Sequence, residues 1–386
     1  MKKICVITDR YPLKGYPVNT FLEQLVNQFA DLGVECDVIV PYCPFMDKLR
    51  KKNYMPKPHC IHYTKAGQAV NVYSTKFFYL FGRNRFGIDF AKIYLKAFCD
   101  AAKKQVAEIN KDYDCFYAHF ISPAALTAAE LGRNYHKPVF FAYGESSIRI
   151  VSDRFALSWV REQLASVSGV VAVSTKNKQE LVNNDLIPEE KIGVFPNAVD
   201  SSAFCVMDKT EVRGRLGIPR DDFVVAFVGH YIHRKGSRRL SAALDQLPGV
   251  KSLFIGAGEE APDCEGILFS GRLPHSDIAA YLNAADVFVL PTLAEGCCNA
   301  IVEAMACGLP VISSDLPFND DILNEGNSIR IDPNNVPQIV DAIRTLRDDS
   351  QLRKQKAAEA LKMAEALSIK KRAENILAFM DARMKA

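Results

Sequence analysis

The stretch PTLAEGCCNAIVEAMACGLPVISSD, Pro291 to Asp315, carries the pattern on which the fold turns. The apolar run Val287 to Leu290 ahead of it reads as a buried strand. A loop then runs to Asn299, an apolar helical segment runs to Cys307, Gly308 caps it, Pro310 follows and Val311 starts another strand. Strand, helix and strand in succession, with strands apolar throughout, make a parallel α/β unit. Glu295 and Glu303 lie within it, eight residues apart. On one helix they would diverge by about 80°, so a shared helix face is not their purpose. Glu295 belongs to the loop, while Glu303 sits one turn after Asn299 and leans back toward the helix start. Both carboxylates are therefore expected to converge on a ligand at that helix N-terminus, where free amides and the macrodipole favour an anion such as a diphosphate. Glu303 is surrounded by Ala300, Ile301, Val302, Ala304, Met305 and Ala306, and a buried carboxylate needs partners. Ribose hydroxyls would serve. A backbone cap or a solvent-facing position is the alternative for Glu303, and a solvated turn is the alternative for Glu295.

The same alternation extends outward. Apolar runs recur at Val224 to Val228, Leu253 to Ile255, Ile267 to Phe269, Val311 to Ser313 and Ile329 to Ile331, with helical patterns between most of them. This is a doubly wound α/β unit. Upstream, Ile4 to Ile7, Val38 to Val40, Cys115 to Ala118, Val139 to Ala142 and Val170 to Val173 form a second set, with helical stretches such as Pro123 to Leu131 between them. The segment from Phe21 to Leu32 is amphipathic, with Thr20 and Glu23 placed as a capping box and Gly33 as its stop. The charged stretch around Asp208, Lys209 and Glu211 marks the boundary, giving units 1–204 and 205–367. A last helix, from about Ser368 to Met384, is expected to return to the first unit (368–386). Residues 45 to 85 read as loop. Such sheets bind ligands at their strand carboxyl ends, so the cleft between the units is the expected site.

Composition bounds the rest. The 386 residues carry 48 Lys plus Arg against 45 Asp plus Glu, a net charge of +3, and are 48% hydrophobic. That excludes disorder, fits two domains of about 100–150 residues or more, and argues against a dedicated nucleic-acid binder. The eleven cysteines include no C-x-x-C pair, as expected of reduced thiols in the cytoplasm. Cys43, His59, Cys60 and His62 lack a paired knuckle, so no metal site is expected there. The apolar start ends after Ile7, and no run approaches the about 18 residues needed to cross a bilayer.

A second basic loop follows Val224 to Val228: Gly229, His230, Tyr231, Ile232, His233, Arg234, Lys235 and Gly236, with a helix from Ser237. A glycine-bounded basic turn between strand and helix suits phosphate, although such clusters also occur as solvated turns. Together, E295 to E303 and VGHYIHRKG resemble the E-x7-E motif and the G-R-L-x-x-x-K-G loop of the family 4 retaining glycosyltransferases. FPNAVD, Phe195 to Asp200, with Phe204, is similar to that family's P-N-G-V-D segment, and the likeness runs over nearly the whole chain.

The resemblance implies a GT-B fold of two Rossmann-like domains, the first binding the acceptor and the second a nucleotide-diphosphate sugar. By position, Glu295 would contact donor-sugar hydroxyls, Glu303 the ribose, and Lys235 the diphosphate. Gly229, Cys297, Cys298 and Asn299 would offer backbone to the phosphates, and Arg272 and Leu273 would lie beside the base. His230 stands where the family has arginine, with Arg234 as a substitute. In the first domain Gly15, Asn19, Gly144 and Glu145 would lie on the acceptor side, and His119 and Tyr143 at the reacting centre. Without the resemblance His119 reads as a satisfied core histidine.

The chemistry so implied is retaining transfer to a saccharide or lipid-linked acceptor in bacterial surface-polysaccharide or glycolipid synthesis, with no cofactor and no metal because cations and amides stabilise the leaving diphosphate. Glu295→Ala is expected to reduce it greatly with the fold intact. The basic stretch Lys48 to Lys57 and the aromatic stretch Lys76 to Phe86 suit peripheral contact with an anionic membrane, at the inner face of the plasma membrane; Phe77, Phe78, Leu80 and Phe81 could equally be core. A nucleotide-sugar epimerase and a silent nucleotide-sugar-binding protein share the architecture. An oxidoreductase does not fit, since Gly256 and Gly258 lack the third glycine of G-x-G-x-x-G.

Overall fold

A computed structural model describes residues 1–12, 18–49, 56–84 and 87–385. These form two compact units, one of Met1–Phe195 with Arg372–Ala386, the other Pro196–Lys371.

The first unit is built on β1 (Lys3–Ile7), β2 (Glu35–Ile39), β3 (His59–Tyr63), β4 (Ala69–Tyr73), β5 (Cys115–His119), β6 (Val139–Tyr143), β7 (Gly169–Ala172) and β8 (Ile192–Val194), in the order β3-β4-β2-β1-β5-β6-β7-β8. All neighbours are parallel except β3 with β4. The expected strands are there because their residues are covered on both faces: every residue of β5, β6 and β7 is buried. Helices supply covering side chains such as Phe98 and Leu131, which join Phe116, Phe141 and Tyr143 of the strands in one core. Each such phenyl ring contributes roughly 1.5–3 kcal/mol.

Local details differ from the sequence expectation. The helix starts at Thr20 itself, so Asn19 takes the N-cap place, at φ 53° and without a side-chain cap bond, and the capping box is not formed. The stretch read as loop between 45 and 85 holds the β3–β4 hairpin. Its strand HCIHY has no fully buried residue, so no apolar run announces it. The helix expected from Pro123 is a wider turn, Ile121–Ala125, leading into Leu126–Tyr135.

The second unit is built on β9 (Val224–Val228), β10 (Lys251–Ile255), β11 (Ile267–Gly271), β12 (Val287–Leu290), β13 (Val311–Ser314) and β14 (Ser328–Ile331), in the order β11-β10-β9-β12-β13-β14, all parallel. The division between units falls at 195/196 rather than 204/205. The reason is local bonding: the Asn197 N–H and Nδ2 donate to Cys297 Sγ (3.3 Å) and O (2.9 Å), and Val199 pairs with Ser368. The last helix, Ile369–Lys385, belongs to the first unit from Arg372 on. Phe379 packs on Phe195 at 5.4 Å, Ala373, Ile376 and Met380 are fully buried, and the N-terminal amine lies 3.2 Å from Asp381.

Candidate active site

In the second sheet β9 and β12 are neighbours, and the loops leaving their carboxyl ends are sewn together. The Leu293 N–H and the Thr292 hydroxyl both donate to Arg234 O (2.8 and 3.2 Å), and Arg239 Nη2 donates to Pro291 O (2.8 Å). The approach requires glycine at 236, where φ is 80° and a Cβ would lie 2.5 Å from Pro291 O. The β9 loop is tied equally closely to the loop after β10: Tyr231 donates its N–H to Ala257 O, and a Cβ on Gly256 would lie 1.9 Å from Gly229 O.

This stitching places three charges together. Glu295 Oε1 accepts from Lys235 Nζ (2.6 Å), Arg234 Nη1 (2.9 Å) and Thr292 Oγ1 (2.8 Å), and Arg234 also donates to Ala294 O. The side chains of Glu295 and Lys235 are 11% and 12% exposed. Burial alone would raise the Glu295 pKa, but Lys235 and Arg234 outweigh it and hold the carboxyl below its usual range. Burial likewise works against the Lys235 ammonium, and Cys298 and Glu295 raise its pKa nonetheless. Two cations and one carboxylate leave one net positive charge, which suits an anionic ligand. The solvated-turn readings of Glu295 and of the basic loop are thereby corrected: both are locked in one partly buried ion cluster.

The helix Asn299–Ala306 starts beside this cluster. Its N-cap, Cys298, makes no side-chain cap bond, and Lys235 Nζ lies 4.0 Å from Cys298 Sγ. Asn299 Oδ1 is buried without a hydrogen-bond partner among the described residues. The helix start thus lies beside an ammonium, and one side-chain oxygen of its first residue has no partner among the described residues. Glu303, 14% exposed, is held by a residue that the sequence reading missed: His275 Nε2 donates to Glu303 Oε1 at 3.0 Å. That bond, ahead of the burial that opposes it, raises the imidazole pKa. Phe204 packs against the same ring at 5.2 Å. Arg272, three residues before the start of the helix His275–Ala284, is exposed, as is His230, and Leu273 is half-buried. His233 Nδ1 is 3.7 Å from Glu260.

In the first unit His119 ends β5, 2% exposed, with Nδ1 unpartnered among the described residues. Phe21 and Phe120 flank its ring at 5.0 and 4.7 Å. Burial, with repulsion from Arg372, drives its pKa down to about 3, so the ring is neutral at pH 7. At Nδ1, then, this buried histidine is not satisfied among the described residues. Tyr143 is fully buried and its hydroxyl donates to Glu180 Oε2 at 2.7 Å. Glu145 is turned inward as well. Its carboxylate accepts the N–H groups of Ile121 (2.7 Å) and Gly144 (3.2 Å), joining the turns after β5 and β6, and burial raises its pKa to about 7. Asn19 Nδ2 donates to Arg10 O at 3.2 Å, bracing the loop after β1. Gly15 lies outside the described residues.

Comparison with known proteins bears on the family and the fold. Residues 18–203 match Glycosyltransferase Family 4, and residues 208–363 match Glycosyl transferases group 1. The chain is 27% identical over 370 residues, 93% of its length and 92% of the relative's, to Bacillus subtilis TuaC, whose name places it in teichuronic acid biosynthesis. It is 29% identical to the phosphatidyl-myo-inositol mannosyltransferase of Mycolicibacterium smegmatis, over 65% of this chain and 66% of that one. It is 27% identical to the Escherichia coli UDP-Gal:alpha-D-GlcNAc-diphosphoundecaprenol alpha-1,3-galactosyltransferase, over 54% and 58%. Among solved structures, sucrose-phosphate synthase from Thermosynechococcus elongatus superposes with a TM-score of 0.78 at 18% identity, over 99% of both chains. Anabaena Alr3699/HepE in complex with UDP-glucose does so with a TM-score of 0.73 at 18% identity, over 99% and 100%. The ion cluster at the ends of β9 and β12, the two family matches that follow one another along the chain, and the shared GT-B fold lead to one conclusion: the chain belongs to the family 4 glycosyltransferases.

Proposed function

We propose that this glycosyltransferase moves a sugar from a nucleoside-diphosphate sugar to a hydroxyl of a saccharide or lipid-linked acceptor, with retention and without a metal ion, in the making of a bacterial surface polysaccharide or glycolipid. The observation that carries the reading is the Arg234–Glu295–Lys235 cluster beside the open start of the helix Asn299–Ala306. In this reading the diphosphate rests on Lys235, Arg234 and the first helix amides, which stabilise the charge that grows as it leaves. That stabilisation leaves no task for a divalent cation. All three contacts to Glu295 fall on Oε1, and its other oxygen takes the donor-sugar hydroxyls. Glu303 takes the ribose, and the loop with Arg272 and Leu273 the base. In the first unit His119 serves as a neutral hydrogen-bonding group, since its pKa forbids a cation at pH 7.

A carboxylate held by two cations is a poor nucleophile, so a covalent intermediate on Glu295 is disfavoured. The acceptor oxygen instead bonds to the anomeric carbon on the face from which the diphosphate departs, and the leaving phosphate oxygen takes the acceptor proton. The names of the relatives, which include a lipid-headgroup mannosyltransferase and a diphosphoundecaprenol galactosyltransferase, support an acceptor of this kind. With UDP-, GDP-, ADP- and TDP-sugars offered in turn with a polyprenyl-diphosphate saccharide, one donor should give product in excess EDTA. Proton NMR should show the donor's anomeric configuration in the new linkage. Inversion, or loss of activity restored only by Mg²⁺ or Mn²⁺, would refute the mechanism.

No helix among the described residues is long and apolar enough to cross a membrane. Contact with an anionic bilayer at the cytoplasmic face is part of the proposal, supported by Phe45, Leu49, Phe78 and Leu80, which are 48–66% exposed, with the Phe45 and Phe78 rings 5.6 Å apart. Phe77 turns inward onto Phe98, so the aromatic stretch is divided between core and surface. Lys48, Lys57 and Lys76 are exposed in the same segments; residues 50–55, 85 and 86 of those stretches lie outside the described residues. Vesicles with anionic lipid should sediment the protein at low salt and release it at high salt. Equal sedimentation with neutral vesicles would contradict the charge-assisted reading.

A further inference from the structure

We infer that His275 is a positioning residue: it fixes the carboxylate of Glu303 so that the site discriminates a ribose diol from a deoxyribose in the nucleotide half of the donor. The inference rests on the donor reading above and concerns a residue outside the motifs quoted for the resemblance.

The geometry carries it. Glu303 lies one turn into the helix Asn299–Ala306, and His275 opens the helix His275–Ala284 directly after the loop Arg272–Pro274 that leaves β11. The two residues meet through a single bond, His275 Nε2 to Glu303 Oε1 at 3.0 Å. Phe204, itself 2% exposed, packs across the imidazole with ring centroids 5.2 Å apart and planes at 65°. The ring is thus held by packing on one side and by the carboxylate on the other. Asp200 acts on it as a second negative charge.

A carboxylate offers about four lone-pair sites. Anchoring Oε1 removes its freedom to rotate and leaves the remaining sites in a fixed plane. A vicinal diol can donate two hydroxyls to such a plane, whereas a 2′-deoxyribose can donate one. A site built to pair with a hydroxyl rejects the analogue that lacks it, because its own polar group is then left unpaired. Without His275 the Glu303 side chain would be free to follow either sugar, and the ability to tell them apart would fall.

The test uses the full chain and three pairs of probes: UDP and 2′-deoxy-UDP, GDP and 2′-deoxy-GDP, ADP and 2′-deoxy-ADP. Affinities are measured calorimetrically, and the base that binds most tightly is carried forward. The wild-type protein should prefer the ribo form by about tenfold or more. His275→Ala should bring that ratio to about threefold or less, chiefly by weakening the ribo form. His275→Gln, whose amide can still donate to Glu303, should recover most of the ratio. With a sugar nucleotide of that base, His275→Ala should raise KM for the donor and leave kcat within about twofold. A thermal melt checks that each variant is folded; if the alanine variant is not, His275→Asn, too short to reach Glu303, takes its place.

A wild-type ratio near one overturns the inference, as does an unchanged ratio in the alanine or asparagine variant, or equal weakening of both members of the pair. If no diphosphate of any base binds, the donor reading itself fails and the inference with it. That outcome is distinct from binding without discrimination.

Discussion

Glu295→Gln should lower kcat/KM by about two to three orders of magnitude, the scale expected when one preorganised electrostatic contact is lost from a reacting centre. The substitution keeps the volume and the bond from Thr292 but removes the charge that Lys235 and Arg234 share. Stability should suffer too, which revises the expectation that an alanine at 295 leaves the fold intact. With Lys235 only 12% exposed, deleting its carboxylate leaves a buried ammonium uncompensated, at a cost of about 3–5 kcal/mol. The alanine variant bears that cost and a cavity as well. A Lys235→Met, Glu295→Gln double variant removes the stranded charge, so it should regain thermal stability without regaining transfer. Steady-state kinetics and melting curves of the three variants separate the two effects. More than about a tenth of wild-type activity in the glutamine variant would contradict the assigned role.

The second large effect is expected at Gly236→Ala. A left-handed backbone costs an alanine about 1–2 kcal/mol, and the new Cβ would lie 2.5 Å from Pro291 O and 2.9 Å from Pro291 Cγ. Relief requires the β9 and β12 loops to part, which draws Lys235 and Arg234 away from Glu295. Donor affinity should therefore fall at least about a hundredfold, by the same electrostatic argument. Gly249 supplies the control. It has φ 82° in the same unit, and a Cβ there would meet nothing within 4 Å, so Gly249→Ala should show the backbone cost alone and bind donor normally. Equal donor affinity in the two variants would show that the loop contact at Pro291 is not what holds the site.

How far the sequence reveals this site depends on the range of the forces involved. The central strands β9 and β12 of the second unit are apolar along their length because both faces are covered, so they were legible to the residue. Edge strands lack that signal. β3 alternates half-buried and exposed positions, and β8 has only three residues. The glutamates, the basic loop and the helix start were legible because each sits at a strand-to-loop junction. Their mutual contacts were not. Arg234 and Glu295 meet across 61 residues, and sequence reasoning assigned them separately to phosphate and sugar, whereas the fold bonds them to each other.

His275 was missed for the same reason. It lies 28 residues from Glu303 and belongs to no motif, and its only local sign is its position shortly after the glycine that ends β11. In the first unit, Tyr143 and Glu145 carry the residue types of an active site, yet their partners, Glu180 and the N–H groups of Ile121 and Gly144, are internal. Residue type alone cannot tell an inward carboxylate from an outward one.

The most direct test of the donor site is a crystal structure of the chain bound to the sugar nucleotide that stabilises it most in a thermal-shift panel. The account predicts diphosphate oxygens within about 3 Å of Lys235 Nζ and of the amides at the start of the helix Asn299–Ala306, with Glu295 on the sugar and Glu303 on the ribose. A diphosphate bound elsewhere, with Lys235 still paired to Glu295 and the helix start untouched, would contradict it.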